Sequence, residues 1–490
     1  MSAYKDLEGL FARLFALRDA EGLLHWDRAT MMPPGGAEAR GEEIAALKAV
    51  QHGLLTAGTT GELLDRARGE SGLDEWQQAN LREMKRLWTH ASAVPESLVQ
   101  ALAIAGAACE VGWRWAHQES DFQSVIPLVQ EVLDLTRESA ETKAQTLDCT
   151  PYEALLDENS PGVSSAEIER LFIDLGEFLP AFLSQVIERQ AGMDAPLAPP
   201  GPFDTVAQRA LGEKLMGALS FDFHHGRLDE SMHPFSAGTP EDLRITTRYG
   251  EEDFAPSLMG VLHETGHALY ERGLPPQWRR QPVGQALGMD IHESQSLLME
   301  MQVCRSCQFL AFAAPLMREA FAGTGPAWEP ENLYQLQTIV RPGFIRVDAD
   351  EITYPAHIIL RHDLERALIA GDLALGDLPG AWNDGMEKLL GIRPANDREG
   401  CLQDIHWFDG AWGYRPSYTL GALAAAQMFE AARKENPDIL TSIEAGKFKP
   451  LMCWLDDNVH GLGSLLPADD LIRRATGKSL GTEAFKRHLK

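Results

Sequence analysis

The sequence predicts a mainly α-helical protein with one small antiparallel sheet. Apolar residues recur at helical spacing along most of the 490 residues. Residues 219–250 differ, because aromatic and polar residues are interleaved with turns there, and residues 243–249 are typical of a strand. With 44% hydrophobic residues, the chain can bury a large core. We expect one unit over residues 1–490, with a possible subdomain break near 193–203.

The helices can be placed in order from apolar periodicity and breaker residues. The Pro- and Gly-rich stretch 31–36 ends the first helix, Ser165 favours a helix start, and the Pro-rich stretch 193–202 is the clearest loop. After residue 254 the pattern is helical again, with loops near 274–290, 322–330, 376–380 and 408–417. The helices expected before that point cover residues 4–25, 37–52, 75–92, 96–118, 127–147, 164–191 and 204–218.

Charge and composition exclude several classes of partner. The net charge of −28 argues against nucleic acid and anionic membranes. The N-terminus lacks the basic start and apolar run of a signal peptide, and no run of about 18 apolar residues suggests a membrane span. Six cysteines are too few for a disulfide scaffold. We therefore expect a cytoplasmic protein with reduced thiols.

One pentapeptide, His263-Glu264-Thr265-Gly266-His267, carries the strongest chemical signal. On a helix, the two histidines share a face and can hold one Zn²⁺. Glu264 would then act as the general base that takes a proton from water at the metal. Two buried, hydrogen-bonded histidines are the alternative explanation, but the apolar body of this helix and its end near Gly273 and Pro275 favour a zinc site.

A third ligand is expected from His292-Glu293-Ser294, which opens a second helical pattern. We prefer Glu293, because an anionic ligand offsets the charge of the metal and leaves His292 free to support the site. His292 is the competing ligand.

Three later stretches concentrate polar residues: 345–361, 400–407 and 413–421. For each alone, a network of buried polar groups explains the pattern equally well. Together with the zinc motif they resemble the carboxypeptidase Taq family of zinc metallocarboxypeptidases. The matching segments are Trp26–Glu42, His233–Phe235, Asp242–Thr246, His263–His267, His292–Ser294 and Gly400–Trp407.

The resemblance implies a helical, saddle-like fold with a deep groove, usually homodimeric. It implies removal of single residues, with broad specificity, from peptides with a free C-terminus, using Zn²⁺ or sometimes Co²⁺. It assigns His263, His267 and Glu293 as ligands and Glu264 as the base, in agreement with the spacing argument.

Further roles follow from this chemistry. Tyr418 is the first choice to stabilise the oxyanion, and His406 is the second. A planar guanidinium suits the substrate carboxylate, and both Arg361 and Arg346 are candidates. Further residues are expected to line the groove or to be structural: His357, Arg244 and His233.

Three other functions stay open at this point. A zinc oligo-endopeptidase would use the same chemistry without capturing a carboxylate. A peptide-binding scaffold would have lost catalysis, which the presence of Glu264 disfavours. A structural zinc protein would have four ligands and no open position.

Overall fold

The helices lie close to the positions predicted from the sequence. A computed structural model describes residues 2–490. The first nine helices of this part of the chain are α1 (Ala3–Thr30), α2 (Ala37–Thr56), α3 (Gly58–Arg68), α4 (Glu75–Ala93), α5 (Glu96–Glu119), α6 (Phe122–Leu147), α7 (Pro151–Asn159), α8 (Ser165–Ala191) and α9 (Thr205–Ala218).

The short helices α3 and α7 were not predicted. Helix α6 begins five residues before the predicted start at Pro127, because Asp121 caps it by accepting from the Ser124 amide.

The second half is also helical after three short strands. The strands are β1 (Gly226–Glu230), β2 (Ser236–Thr239) and β3 (Asp242–Thr247). The later helices are α10 (Ala255–Gly273), α11 (Met289–Leu297), α12 (Cys307–Ala320), α13 (Pro330–Gln337), α14 (Thr353–Ala370), α15 (Leu378–Leu390), α16 (His406–Asp409), α17 (Pro416–Glu435), α18 (Ile439–Glu444), α19 (Lys449–Asn458), α20 (Ala468–Thr476) and α21 (Glu483–Leu489). A π-helical segment, Leu298–Cys304, continues directly from α11.

The sheet is mixed, so the prediction of a purely antiparallel sheet was wrong. Its strand order is β1-β3-β2, with β2 antiparallel and β1 parallel to the central β3. A tight turn joins β2 to β3 and makes that pair antiparallel, whereas β1 reaches the other edge of β3 through a longer path. Sequence alternation predicts a strand but not the direction of its partner.

Three hydrophobic clusters form the core. The largest joins residues from α4 to α21, and includes Leu183 before the Pro-rich loop and Leu211 after it. A second lies among α1, α3 and α4, around Leu7 and Phe11. The third packs the sheet against α10, through Leu228 and Ile245 on the strands and Val261 on the helix. The sheet therefore supports the helix that carries the predicted zinc motif.

Candidate metal centre and active-site cavity

Three potential metal ligands meet where α10 crosses α11. Nε2 of His263 lies 3.8 Å from Oε1 of Glu293, and Nε2 of His267 lies 3.5 Å from Oε2. A donor atom from each residue lies within 4.8 Å of the other two, and residues 2–490 contain no second group of this kind. Two imidazoles and a carboxylate fit a divalent metal with a further position left open. A closed four-ligand structural site is not formed.

The close approach of the two helices depends on Gly266. A Cβ atom at this position would lie 2.5 Å from the carbonyl oxygen of Gln295 and 2.7 Å from the Cα of Ser296. Both neighbours are backbone atoms of α11, so they cannot rotate away. The glycine inside the histidine motif therefore brings α10 near enough for Glu293 to face both histidines.

His292, the competing ligand, points away from the triad. Its Nε2 lies 2.9 Å from Oε1 of Glu271. Its ring stacks on His267 with the centroids 4.5 Å apart. This contact fixes one side of the His267 ring, which agrees with a supporting position rather than with a place among the ligands.

Glu300 lies behind His263 and was missed by the sequence reasoning. Its Oε2 lies 2.8 Å from Nδ1 of His263, and its Oε1 accepts from Arg305 Nη2 at 2.5 Å. Burial would raise the pKa of Glu300, but Arg305 and His263 lower it to about 2. A carboxylate on the outer nitrogen orients a ligating imidazole and raises its basicity. The sequence did contain a signal for Glu300, because Glu300 and Glu293 are seven positions apart in one helical pattern and therefore share a face.

Two of the three ligands, His267 and Glu293, have charge states that suit metal binding. Burial and the neighbouring His292 lower the pKa of His267 to about 4, so that its ring is neutral near pH 7. Burial opposes ionisation of Glu293, but His267 and His263 hold its pKa below the ordinary value. A neutral imidazole and an ionised carboxylate are the forms that bind a metal. Burial would lower the pKa of His263, but Glu300 and Glu293 raise it to about 10, so this ring would release a proton when a metal binds.

Glu264 has the environment of a general base. It is 8% exposed. Burial raises the pKa of its carboxyl group, and the charge of Glu293 acts in the same direction against the opposing effect of His263. A raised pKa makes a carboxylate a better proton acceptor near neutral pH.

A large cavity opens beside the triad. Its volume is about 930 Å³, within the size range of ligand sites. The side chains that line it include His263, Glu264, Glu293, Glu300, Arg346, Tyr354 and Tyr418. Tyr354 was not predicted. Its ring lies 6.1 Å from that of Tyr418 in an edge-on arrangement.

Besides the ligand His267, five of the predicted site residues do not line this cavity. His233 is exposed in the loop between β1 and β2, where its carbonyl oxygen accepts from Ser231 at 2.5 Å. Arg244 is engaged on β3, where it donates to Asp242 at 2.8 and 2.9 Å and lies over the Trp26 ring.

The other three lie deeper in the protein. His357 and Arg361 are fully buried. The ring of His406 stacks on Tyr414, and burial lowers the pKa of His406 to about 3.

A buried cluster of three arginines adjoins the cavity and shares one carboxylate, Asp404. Arg361 Nε donates to it at 2.5 Å, and Arg346 Nη2 donates at 3.0 Å. Arg415 Nη1 lies 3.6 Å away. Burial would raise the pKa of Asp404, but the three guanidinium groups hold it well below its ordinary value. Of the three arginines, only Arg346 also lines the cavity.

Comparison with known proteins decides the family. Residues 6–490 match the family described as Carboxypeptidase Taq (M32) metallopeptidase. The chain belongs to this family. It is 36% identical to thermostable carboxypeptidase 1 of Thermus thermophilus, over 100% of this chain and 98% of the relative. It is 32% identical to carboxypeptidase 1 of Bacillus subtilis, over 97% and 95%.

Solved structures of M32 relatives agree with this assignment. Metallocarboxypeptidase 1 of Trypanosoma cruzi superposes with a TM-score of 0.97 at 39% identity, covering 99% of this chain and 98% of the other. An M32 carboxypeptidase from Deinococcus radiodurans superposes with a TM-score of 0.94 at 32% identity, covering 100% and 98%. The protein is an M32 metal-dependent carboxypeptidase, as the sequence predicted, and its substrates are peptides.

Within residues 2–490, no helix by itself has the length and apolarity to cross a bilayer. Helices α4 and α5 together have that length and composition, but they are bent by 77° relative to each other.

Proposed function

We propose that this M32 enzyme releases single amino acids, with broad specificity, from peptides with a free C-terminus. His263, His267 and Glu293 would hold Zn²⁺, with Co²⁺ as a possible substitute, and Glu264 would be the base. The main support is that His263 and Glu293 of the triad line one cavity with the base and an arginine, while His267 faces Glu293 at 3.5 Å. A bound Zn²⁺ would polarise the scissile carbonyl and make a water molecule more acidic.

Glu264 would move the proton during hydrolysis. Its carboxylate takes a proton from the attacking water and returns it to the nitrogen of the departing amino acid. The raised pKa of Glu264 favours both steps, because the group accepts the proton readily and can still release it to an amine. Its burial also keeps bulk water from competing for that proton.

Tyr418 is proposed to stabilise the negative oxygen that forms at the attacked carbonyl. Burial raises the pKa of its phenol, so the hydroxyl is neutral and can donate a hydrogen bond. Tyr418 lines the same cavity as Glu264. His406, the second choice for this role, is outside the lining of the cavity, which favours Tyr418.

Arg346 is the better candidate for the substrate carboxylate. It lines the cavity, and Asp404 orients it through hydrogen bonds to both Nε and Nη2. The donors of Arg361 are already used by Asp404, the Gln403 side chain and the His357 carbonyl, at 2.5, 2.7 and 2.9 Å. Arg361 would therefore support Arg346 rather than contact substrate.

The decisive experiment compares an N-protected dipeptide with its C-terminal amide. We expect release of an amino acid only from the free acid, lost on chelation and restored by Zn²⁺ or Co²⁺. Equal cleavage of both peptides, or internal cuts in longer peptides, would instead indicate an endopeptidase. Absence of cleavage by the metal-loaded protein would leave a peptide-binding scaffold.

Two variants test the assigned roles. Glu264→Gln should lower kcat roughly 100- to 10,000-fold with unchanged metal content. Arg346→Lys should lower kcat/KM for the free acid by roughly 10- to 100-fold, mainly through KM. Arg341→Lys is the matched control, because Arg341 also lines the cavity but its exposed side chain forms no ion pair within residues 2–490; only its backbone amide contacts a carboxylate, that of Asp350. An Arg346→Lys variant as active as this control would remove Arg346 from carboxylate recognition.

Two further predictions come from the sequence and the family resemblance. We propose that the enzyme is a homodimer, which light scattering of the purified protein tests. We also propose that it acts in the cytoplasm, which fractionation of the source cells tests.

A further inference from the structure

A second, smaller cavity lies where α8, α11, α17 and α20 meet. Its volume is about 70 Å³, and it shares no lining residue with the cavity at the metal centre. Its walls are mostly apolar and include Leu171, Leu420 and Ile472. All the charged side chains that line it are acidic: Glu167, Asp290 and Asp469. We refer to it as the Asp290 cavity.

Asp290 forms the buried end of this cavity. It is 4% exposed, and its Oδ1 has no hydrogen-bond partner within residues 2–490. Leaving a carboxylate oxygen buried without a partner is costly, so such a group is normally paired with a donor or a cation. Burial raises the pKa of Asp290 to about 6, against the opposing effect of the Ile291 and Asp290 amides and the Ser160 hydroxyl, and the charge of Glu167 adds a smaller increase. A cation bound beside it would relieve this cost.

Two further carboxylates line the cavity, and the nearby Arg170 and Arg473 offset part of their charge. Glu167 is half-buried, and the Asp469 side chain is 39% exposed. Asp469 accepts from Arg473 at 2.6 Å through one oxygen, while its other oxygen has no partner within the described chain. A cation entering the cavity would therefore pass two carboxylates before it reaches the buried one.

The spacing and the walls decide what kind of cation fits. The three carboxylates do not form a group with ligand atoms within 4.8 Å of one another, so they do not make a compact site for a divalent metal. Apolar walls add affinity only for a ligand with an apolar part. The small volume limits the ligand to a few heavy atoms.

We propose that the Asp290 cavity binds a short primary alkylammonium ion, such as ethylammonium or propylammonium. The ammonium group would donate to Asp290, and the alkyl chain would pack against Leu420 and Ile472. A free amino acid, the product of the peptidase reaction, would be excluded because its carboxylate would face three others. This site is independent of the peptidase assignment and can be tested without any peptide.

The position of the cavity links it to the metal centre. Asp290 lies one helical turn before Glu293 on α11, and Leu420 belongs to α17, which also carries Tyr418. The two helices are in close contact, since a Cβ atom on Gly421 would lie 3.0 Å from the Cβ of Glu293. A ligand between them would contact both helices that carry groups of the larger site.

The test is calorimetric titration of the metal-loaded full-length protein with propylammonium chloride. Saturable binding and a rise in Tm are expected for propylammonium. Three ligands serve as controls, namely propanol without the charge, KCl without the alkyl chain, and alanine with an added carboxylate. All three should give no saturable heat.

Substitutions locate the site. Asp290→Asn should weaken propylammonium binding at least tenfold, and Glu167→Gln, which lies at the accessible end and leaves the core intact, should weaken it several-fold. Asp470→Asn is the control on the same helix as Asp469, because Asp470 is exposed and does not line the cavity. The proposal would be overturned by any of three results: no saturable binding of propylammonium, an equal response to KCl or propanol, or unchanged affinity in Glu167→Gln. The third result applies even if Asp290→Asn fails to fold.

Discussion

Replacing Glu300 tests whether the carboxylate behind His263 sets the affinity for metal. Nδ1 of His263 lies 2.8 Å from one Glu300 oxygen, and Arg305 donates to the other at 2.5 Å. Through this contact the imidazole is held with its Nε2 toward Glu293. Removing such a partner typically lowers metal affinity by about 10- to 100-fold.

We expect Glu300→Gln to weaken zinc binding about tenfold and Glu300→Ala about 100-fold, which correspond to about 1.4 and 2.8 kcal/mol. Glutamine keeps an oxygen for Nδ1 of His263 but loses the negative charge that makes the ring more basic. Alanine removes both, and it leaves Arg305 with Glu351 as its remaining carboxylate, 3.7 Å away.

The assay is competition for Zn²⁺ with a chromophoric chelator, which gives a dissociation constant without measuring turnover. Glu351→Gln is the matched control, because it removes the other carboxylate near Arg305 without touching His263. Thermal unfolding of each metal-free variant separates lost affinity from lost folding. Wild-type affinity in both Glu300 variants, or equal weakening in Glu351→Gln, would refute the reasoning.

Three further substitutions have defined outcomes. Gly266→Ala should lower both metal affinity and Tm, because its Cβ would lie 2.5 Å from the backbone of α11. The control is Gly260→Ala, whose Cβ would meet only a side-chain atom at 3.8 Å and which should leave both quantities nearly unchanged. Asp404→Asn should destabilise the protein by about 3–5 kcal/mol at pH 7, because it leaves buried guanidinium groups without a compensating charge. The control is Asp384→Asn, which removes an exposed ion pair and should cost less than about 1 kcal/mol. Since the pKa of Asp404 is depressed in the folded state, its contribution is present above the ordinary pKa of about 4 and is lost as pH falls through the folded value; a variant difference that stays constant down to acid unfolding would contradict this. His362→Asn should make stability less dependent on pH between about 4 and 6. Burial keeps the pKa of His362 at about 3. Below the ordinary pKa of histidine, the unfolded chain therefore binds a proton that the folded protein does not bind. The free energy of unfolding then decreases by about 1.4 kcal/mol for each unit by which the pH falls, for each such group. Urea unfolding at several pH values measures this slope, and an unchanged slope would contradict it. Two other histidines have the same depressed pKa: His357 and His406.

Local spacing was enough to predict much of the fold and the centre of the site. The positions of His263 and His267 follow from one turn of one helix, so no tertiary information is needed. Glu293 follows from chemistry, since a two-histidine set requires a further ligand and the next helix offers a carboxylate. The start of α8 was predicted closely, although its cap is Ser164, which accepts from the Glu167 amide, and not the predicted Ser165. The predicted start of α6, at Pro127, is five residues too late.

The predictions that were wrong or missing concern contacts between residues that are distant in the sequence. Arg361 shares a helical face with His357, but periodicity cannot tell whether that face meets a cavity or another helix; it is fully buried beside Trp382. The parallel partner of β3 was missed because strand direction is set by the path between strands. Glu300 was not predicted, because spacing along the chain does not show which carboxylate contacts the outer nitrogen of a ligating imidazole.

The overall charge of −28 gives no guide to the ligand of the main cavity, because its lining carries both carboxylates and guanidinium groups. Three of the carboxylates, Glu264, Glu293 and Glu300, lie at the metal-binding end, where a divalent cation would offset them. Arg346 lines the same cavity and belongs to the cluster in which three guanidinium groups share the carboxylate of Asp404. A peptide with a free C-terminus has the complementary arrangement, since its carboxylate suits the arginine end while its last carbonyl suits the metal end. A C-terminal amide loses only the first of these attractions. The difference between free acid and amide therefore measures how much of the selectivity comes from Arg346 and the cluster that supports it.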